Sequence, residues 1–312
     1  MFFAMGSGKL ITACSWLVLG VSVVVVAMIG GGEAQPQVPC LFIFGDSLVD
    51  NGNNNNINSL AKANYLPYGI DFPRGPTGRF SNGKTTVDTV AQLLGFNEND
   101  IPPYARARGQ QILRGVNYAS AAAGIRDETG QQLGGRTSFS GQWELGAMTI
   151  LTTTSTKKKN YLNNYFMPLY YSSSRRYTPQ QFADLLIQQY TQQLRILYNY
   201  GARKFALIGV GQIGCSPNAL AQNSADGKTC VKRINDANQM FNNNLRQLVD
   251  SSNRNTPDAK FIYVNAYGIF QDLIDNPSAF GEAANIIVGR RSYTAQKPSD
   301  AYPYDISRLA QA

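Results

Sequence analysis

Apolar positions in this chain fall into short runs that alternate between strand-sized and helix-sized, with polar and glycine-rich stretches between them. Cys40-Leu41-Phe42-Ile43-Phe44 is five residues without a polar break and predicts a short strand buried on both faces. Thr85 to Leu94 has a helical pattern that Gly95 closes. Gly115 to Gly124 reads as a strand running into a turn of small residues, where two backbones can approach closely. Thr178 is placed to cap a helix with Pro179 at its first position. That helix carries the stripe Phe182, Leu185, Leu186, Tyr190, Leu194 and Leu197, which is core packing, and it stops at Gly201. Lys204 to Val210 predicts the next buried strand, and an Asn/Gln-rich helix follows over Val231 to Ser251. Phe261 to Val264 predicts a further strand, with a short helix near Ile269 to Ile274. Strands alternating with helices predict an α/β domain, a parallel sheet with helices on both faces, without internal repeats.

The chemistry enters at the end of the first strand. Gly45-Asp46-Ser47-Leu48 puts a turn-permitting glycine before a serine just past the strand's carboxyl end, where open α/β sheets place their reactive groups. A nucleophilic serine needs that exposure and nearby N–H groups for a developing oxyanion. The stretch is not an α/β-hydrolase elbow, because Val49 and not glycine follows Ser47 by two. A strand-end turn with an incidental Gly-Asp-Ser is the bland alternative.

Extended through Val49-Asp50-Asn51-Gly52-Asn53-Asn54-Asn55, the segment resembles the plant GDSL esterase/lipase family of SGNH hydrolases. The likeness covers approximately Pro39 to Gln142 and Tyr161 to Ala312. It implies a flavodoxin-like fold and hydrolysis of carboxylic esters of lipids or cell-wall acyl groups, with Ser47 as nucleophile. It also implies an oxyanion hole built from the serine N–H, a glycine N–H and an asparagine side chain. The second block matches at Asn117-Tyr118-Ala119-Ser120-Ala121-Ala122-Ala123-Gly124, with the glycine position at Ala121 or, alternatively, Gly124. Alanine keeps an N–H, so it serves if its backbone conformation is one alanine adopts. In the third block Tyr161-Leu162-Asn163-Asn164-Tyr165 matches, but Lys158-Lys159-Asn160 precedes it. Lys159 then stands at the asparagine position, and Asn160 takes that role only on a register slipped by one. Thr149 to Thr154 is β-branched enough for a replacement strand.

The fourth element is missing. The family pairs its serine with an Asp-x-x-His near the C-terminus, and the 312 residues contain no histidine. Asn276 to Gly281 matches the approach to that block and Ile286 to Arg291 the helix after it, with only Glu282-Ala283-Ala284-Asn285 between. The fold is expected to be truncated there. Asp300 and Asp305 lie beyond the joint and read as tail carboxylates. The chain is therefore expected to be an ester hydrolase by ancestry whose turnover is impaired. The alternative is a non-catalytic binding relative or a truncated product.

Composition sets the compartment. Lys9 precedes an apolar stretch from Leu10 to Ile29, and small residues at Gly32 and Ala34 suit a signal-peptidase site. Residues 1–34 are read as a signal peptide and 35–312 as one domain, with an uncleaved anchor as the alternative. A secreted protein is expected, without a membrane span once the signal is removed. The net charge of +8 favours anionic surfaces such as acidic polysaccharide or lipid. Basic residues are dispersed apart from Lys157-Lys158-Lys159, which argues against nucleic acid. Cys215 and Cys230 bracket a polar loop that secretion would let them close, leaving Cys40 as a small inert thiol on its strand. Without histidine or a CxxC, neither a metal site nor a cofactor is expected. Gly209-Val210-Gly211-Gln212-Ile213-Gly214 matches a dinucleotide fingerprint, but Cys215-Ser216-Pro217-Asn218 should break the helix that such a site needs. The segment instead resembles the family's Ile-Gly-Cys-x-Pro loop.

Overall fold

The computed structural model describes residues 36–147, 164–276 and 279. The presumed signal, the lysine run, Asn160, the Thr149–Thr154 stretch and the joint after Gly281 lie outside them, and these expectations are not addressed by the described residues.

In chain order the elements are β1 (Leu41–Ile43), α1 (Thr86–Leu93), β2 (Gly115–Asn117), α2 (Phe139–Ala147), a short α3 (Ser173–Arg176), α4 (Pro179–Asn199), β3 (Lys204–Ile208), α5 (Pro217–Asn223), α6 (Lys232–Asn255), β4 (Lys260–Val264) and α7 (Ala266–Asp275). β1 pairs with β2 and β3 with β4, both in parallel. Parallel pairing with helical crossovers is the α/β architecture expected from the alternation of elements.

β1 is shorter than its apolar run but is covered on both faces. Phe42 and Phe44 enter one hydrophobic cluster, which also takes in Phe205, Leu207 and Phe261 from the second strand pair. Leu41 and Ile43 point into another, with Val49 and the α1 residues Val87 and Ala91. Phe205 and Phe261 are register partners across β3 and β4, and their rings stack 4.3 Å apart. The second pair is not fully buried as expected for its strands: Ile262 on β4 is 49% exposed.

Local chemistry explains where the helices begin. Thr85 and Asp88 form a reciprocal capping box on α1, and Thr178 and Gln181 form one on α4. Asp88 also receives the Arg79 guanidinium, with Nη2 donating to Oδ1 at 2.8 Å. Burial alone would raise the Asp88 carboxyl; bonds from Arg79 and Thr85 outweigh it and leave it below the usual range. This stabilisation is present above the ordinary carboxylate pKa and is lost as the pH falls. α4 ends at Asn199, with Gly201 at φ 98° two residues later. α6 runs four residues beyond the expected Ser251, and α7 begins three residues before Ile269, where the Asn265 side chain caps it. The Gly-rich segment after β3 starts no helix at its glycines. It forms a 3-10 turn over Ile213–Cys215, and α5 starts only at Pro217 under a Ser216 cap. Cys215 and Cys230 are joined in a disulfide.

α2 has no counterpart in the sequence pattern, because Gly141 and Gly146 weaken its helical signal. It forms through close approach: a Cβ on Gly146 would lie 2.6 Å from the Phe44 ring. Trp143, one turn earlier, stacks on that ring at 4.5 Å.

The buried face of α6 carries asparagines among apolar residues such as Ile234, Phe241 and Leu245. Asn235, Asn238 and Asn242 face the extended backbone after β3. Asn242 Oδ1 accepts from the Val210 N–H (2.7 Å), and its Nδ2 donates to the Val210 carbonyl (2.8 Å). Asn238 Nδ2 donates to the Gly211 carbonyl, and Asn235 Oδ1 accepts from the Gly214 N–H. Asn253 treats Phe261 of β4 in the same two-sided way. Replacing Asn242 with Leu strands two backbone groups at about 1–3 kcal/mol each. Urea unfolding of Asn242→Leu should show a loss of about 3 kcal/mol; a loss under about 1 kcal/mol contradicts the clamp.

Candidate active site

The serine turn is a product of its own backbone. Val49 and Asp50 N–H groups donate back to the Asp46 carbonyl, closing a tight turn directly after β1. Asp46 Oδ1 accepts from the Leu48 N–H at 2.9 Å. Ser47 therefore sits at the carboxyl end of β1, as its position in the sequence implies. It keeps 8% of its surface, whereas Asp46 and Asp50 on either side keep 1% and none.

The asparagine-rich run behind the serine stitches the first block to the second. Asn53 Nδ2 donates to the carbonyls of Asn117 and Ala119, both at 2.8 Å, and its Oδ1 accepts from the Ala105 N–H. Asn54 Nδ2 donates to the Ala121 carbonyl, and its Oδ1 accepts from the Ser120 hydroxyl. Asn117 returns the favour, donating from Nδ2 to the Val49 carbonyl at 2.6 Å. These bonds bring Ala121 and the serine turn together.

Asp50 is the hub of this joint. Its Oδ1 accepts from the N–H groups of Gly52 (2.8 Å) and Asn53 (2.7 Å), and its Oδ2 accepts from the Ala121 N–H (2.9 Å). The Ala121 donor is thus engaged by a carboxylate. The conformation of Ala121 is ordinary for alanine; the unusual one belongs to Ala122, at φ 70°. Gly124 lies buried three residues further along the same loop. Sequence reasoning treated Asp50 as part of a motif and missed its role as a bridge.

Gln142 was also missed. Its carboxamide, fully buried on α2, pairs with both the N–H and the carbonyl of Gly45, each at 2.9 Å. Asn164, from the third block, is fully buried, and neither of its carboxamide atoms has a partner among the described residues. An open groove of about 720 Å³ lies between α4 and α6, lined by Asp184, Thr191, Asn244 and Arg254, and Ser47 takes no part in it. Among the described residues no group of three or more His, Cys, Asp or Glu could hold a metal. No described helix is long and apolar enough to cross a membrane.

Burial pushes the Asp50 carboxyl up to about 6 despite its four backbone N–H bonds. The folded state then holds this proton to a higher pH than the unfolded chain does. The stability contributed is full below about pH 4 and is lost as the pH rises through about 6, to a total of about 3 kcal/mol. In Asp50→Asn this limb should vanish, and the stability at pH 4 should fall because the new NH₂ faces the Ala121 N–H. Thermal melts between pH 4 and 7 check both outcomes. Ala122→Gly should raise the melting temperature, by relieving about 1 kcal/mol of left-handed strain.

Comparison with known proteins gives the family. Residues 41–282 match the family model for GDSL-like lipase/acylhydrolase. The Arabidopsis thaliana protein GDSL esterase/lipase At5g45670 is 52% identical over 356 aligned positions, covering 94% of this chain and 98% of the relative. GDSL esterase/lipase At1g29670, from the same plant, is 55% identical over 341 positions, covering 89% of this chain and 93% of the relative. Since 94% of 312 residues is roughly 293, roughly sixty of those 356 positions have no counterpart in this chain. A family match across more than half the chain, joined to close relatives aligned over nearly all of it, leaves one assignment: the chain belongs to the GDSL-like lipase/acylhydrolase family.

Proposed function

We propose that this protein is an exported member of the family that engages carboxylic esters of lipids or cell-wall acyl groups at Ser47, with hydrolytic turnover strongly depressed. The observation that carries the reading is the placement of Ser47 at the carboxyl end of β1, in a turn pinned by Asp50 and by Asn117 of the second block. Attack by its hydroxyl oxygen on an ester carbonyl would form an acyl-serine, and the hydroxyl proton would leave with the alcohol. Water would then release the acid.

What depresses turnover is the proton. A serine hydroxyl needs a base near neutral pH, and the sequence offers no imidazole. Asp50 is a poor substitute, because both its oxygens are taken by backbone N–H groups. The roughly sixty unmatched positions favour a second reading, a non-catalytic relative that keeps the cleft but not the chemistry. Export is supported by the Cys215–Cys230 disulfide, which belongs to oxidising compartments. The net charge of +8 supports residence on an anionic surface such as the cell wall. Within the oxyanion hole, Gly124 and Asn160 remain the donors proposed beside the Ser47 N–H, Ala121 being occupied by Asp50.

Loss of triad members costs on the order of 10⁴ to 10⁶ in turnover. Purified protein should hydrolyse a short-chain chromogenic ester more slowly than an intact relative by about that factor, and Ser47→Ala should lower the remainder at least about tenfold. Equal rates in the parent and Ser47→Ala would exclude the serine and leave the binding reading.

A further inference from the structure

We infer that Gln142 is a positioning residue for Ser47, acting through the backbone of Gly45. This rests on the reading of Ser47 as nucleophile. Gly45 is two residues past the end of β1, where the second block still reaches its carbonyl through the Ser120 N–H, and its backbone must turn to present the serine. At that point the Gln142 carboxamide stands in for a neighbouring strand. Oε1 accepts the Gly45 N–H, and Nε2 donates to the Gly45 carbonyl, each at 2.9 Å. Only this orientation of the amide fits, since the reversed one would set donor against donor. Nε2 also donates to the Thr137 carbonyl at 3.2 Å, which ties the clamp to the start of its own helix.

The clamp is held rigidly from behind. Gln142 has no exposed surface, Trp143 beside it stacks on Phe44, and Gly146 lets α2 lie against that same ring. On the far side, the Ser120 N–H donates to the Gly45 carbonyl at 3.0 Å. Gly45 is therefore fixed between α2 and the second block, by a side chain 97 positions away from it, and Ser47 inherits its direction from that contact. The position requires one donor and one acceptor in the same side chain. Leucine supplies neither. An ionised glutamate supplies only acceptors. A protonated glutamate supplies both again, through its O–H and its carbonyl.

The test uses the full chain, Gln142→Leu, Gln142→Glu and Ser47→Ala. Amide exchange is followed by mass spectrometry on a peptide covering residues 41–48, against a reference peptide from α6. Gln142→Leu should lose at least tenfold protection at Gly45 with the α6 peptide unchanged. In Gln142→Glu, protection corrected for the intrinsic rate should return as the pH falls below the glutamate pKa. In parallel, labelling of Ser47 by a fluorophosphonate should slow at least tenfold in Gln142→Leu and be absent in Ser47→Ala. Unchanged protection at Gly45, or a loss shared equally by α6, overturns the clamp. Lost protection with an unchanged labelling rate overturns the link to Ser47. If the parent protein takes no label, the nucleophile reading fails, and the recovery of Gly45 protection in Gln142→Glu at low pH decides the clamp by itself.

Discussion

A buried backbone N–H or carbonyl that has left its ladder must find another partner, and this requirement organises the molecule. The described strands are three to five residues long, so their ends come early and deep inside the protein. Two carboxamides meet the need past strand ends, each giving and taking a bond on a single residue, Gln142 on Gly45 and Asn242 on Val210; Asn253 does the same for Phe261 within β4. An amide side chain is the one neutral group that copies a peptide's donor and acceptor together. Asn53, Asn54 and Asn117 extend the principle to the loops around Ser47.

This explains how the Ser47 turn is held in a chain without histidine. The turn holding Ser47 is fixed by α2, by Asp50 and by the second block, all of which lie before residue 148.

What could be seen in the sequence follows from the range of each interaction. Capping boxes such as Thr85–Asp88 act over three residues, so α1 and α4 begin where their caps predict. The parallel strands were legible because β1 is apolar on both faces, and Ser47 because it follows that strand directly. The helix α2 was not legible: its glycines argue against it, and only contact with Phe44, about a hundred positions earlier, makes them useful. The α6 helix was legible as Asn/Gln-rich, but the role of its asparagines was not, because apolar periodicity does not register side chains that bond bare backbone. Asp50 was hidden for a related reason. Its partners are N–H groups, which every residue type has, so no side-chain pattern announces them.

The medium meets these joints unequally. Carboxamides neither gain nor lose charge, so acidity and dissolved ions find nothing to grip at the strand ends. The weld between the serine turn and the Ala121 loop is different, because beside the amides of Asn54 and Asn117 it contains the Asp50 carboxyl, which burial pushes up to about 6. A shift in the acidity of the surroundings would therefore reach the Ser47 turn through that weld while the amide-held strand ends stay indifferent.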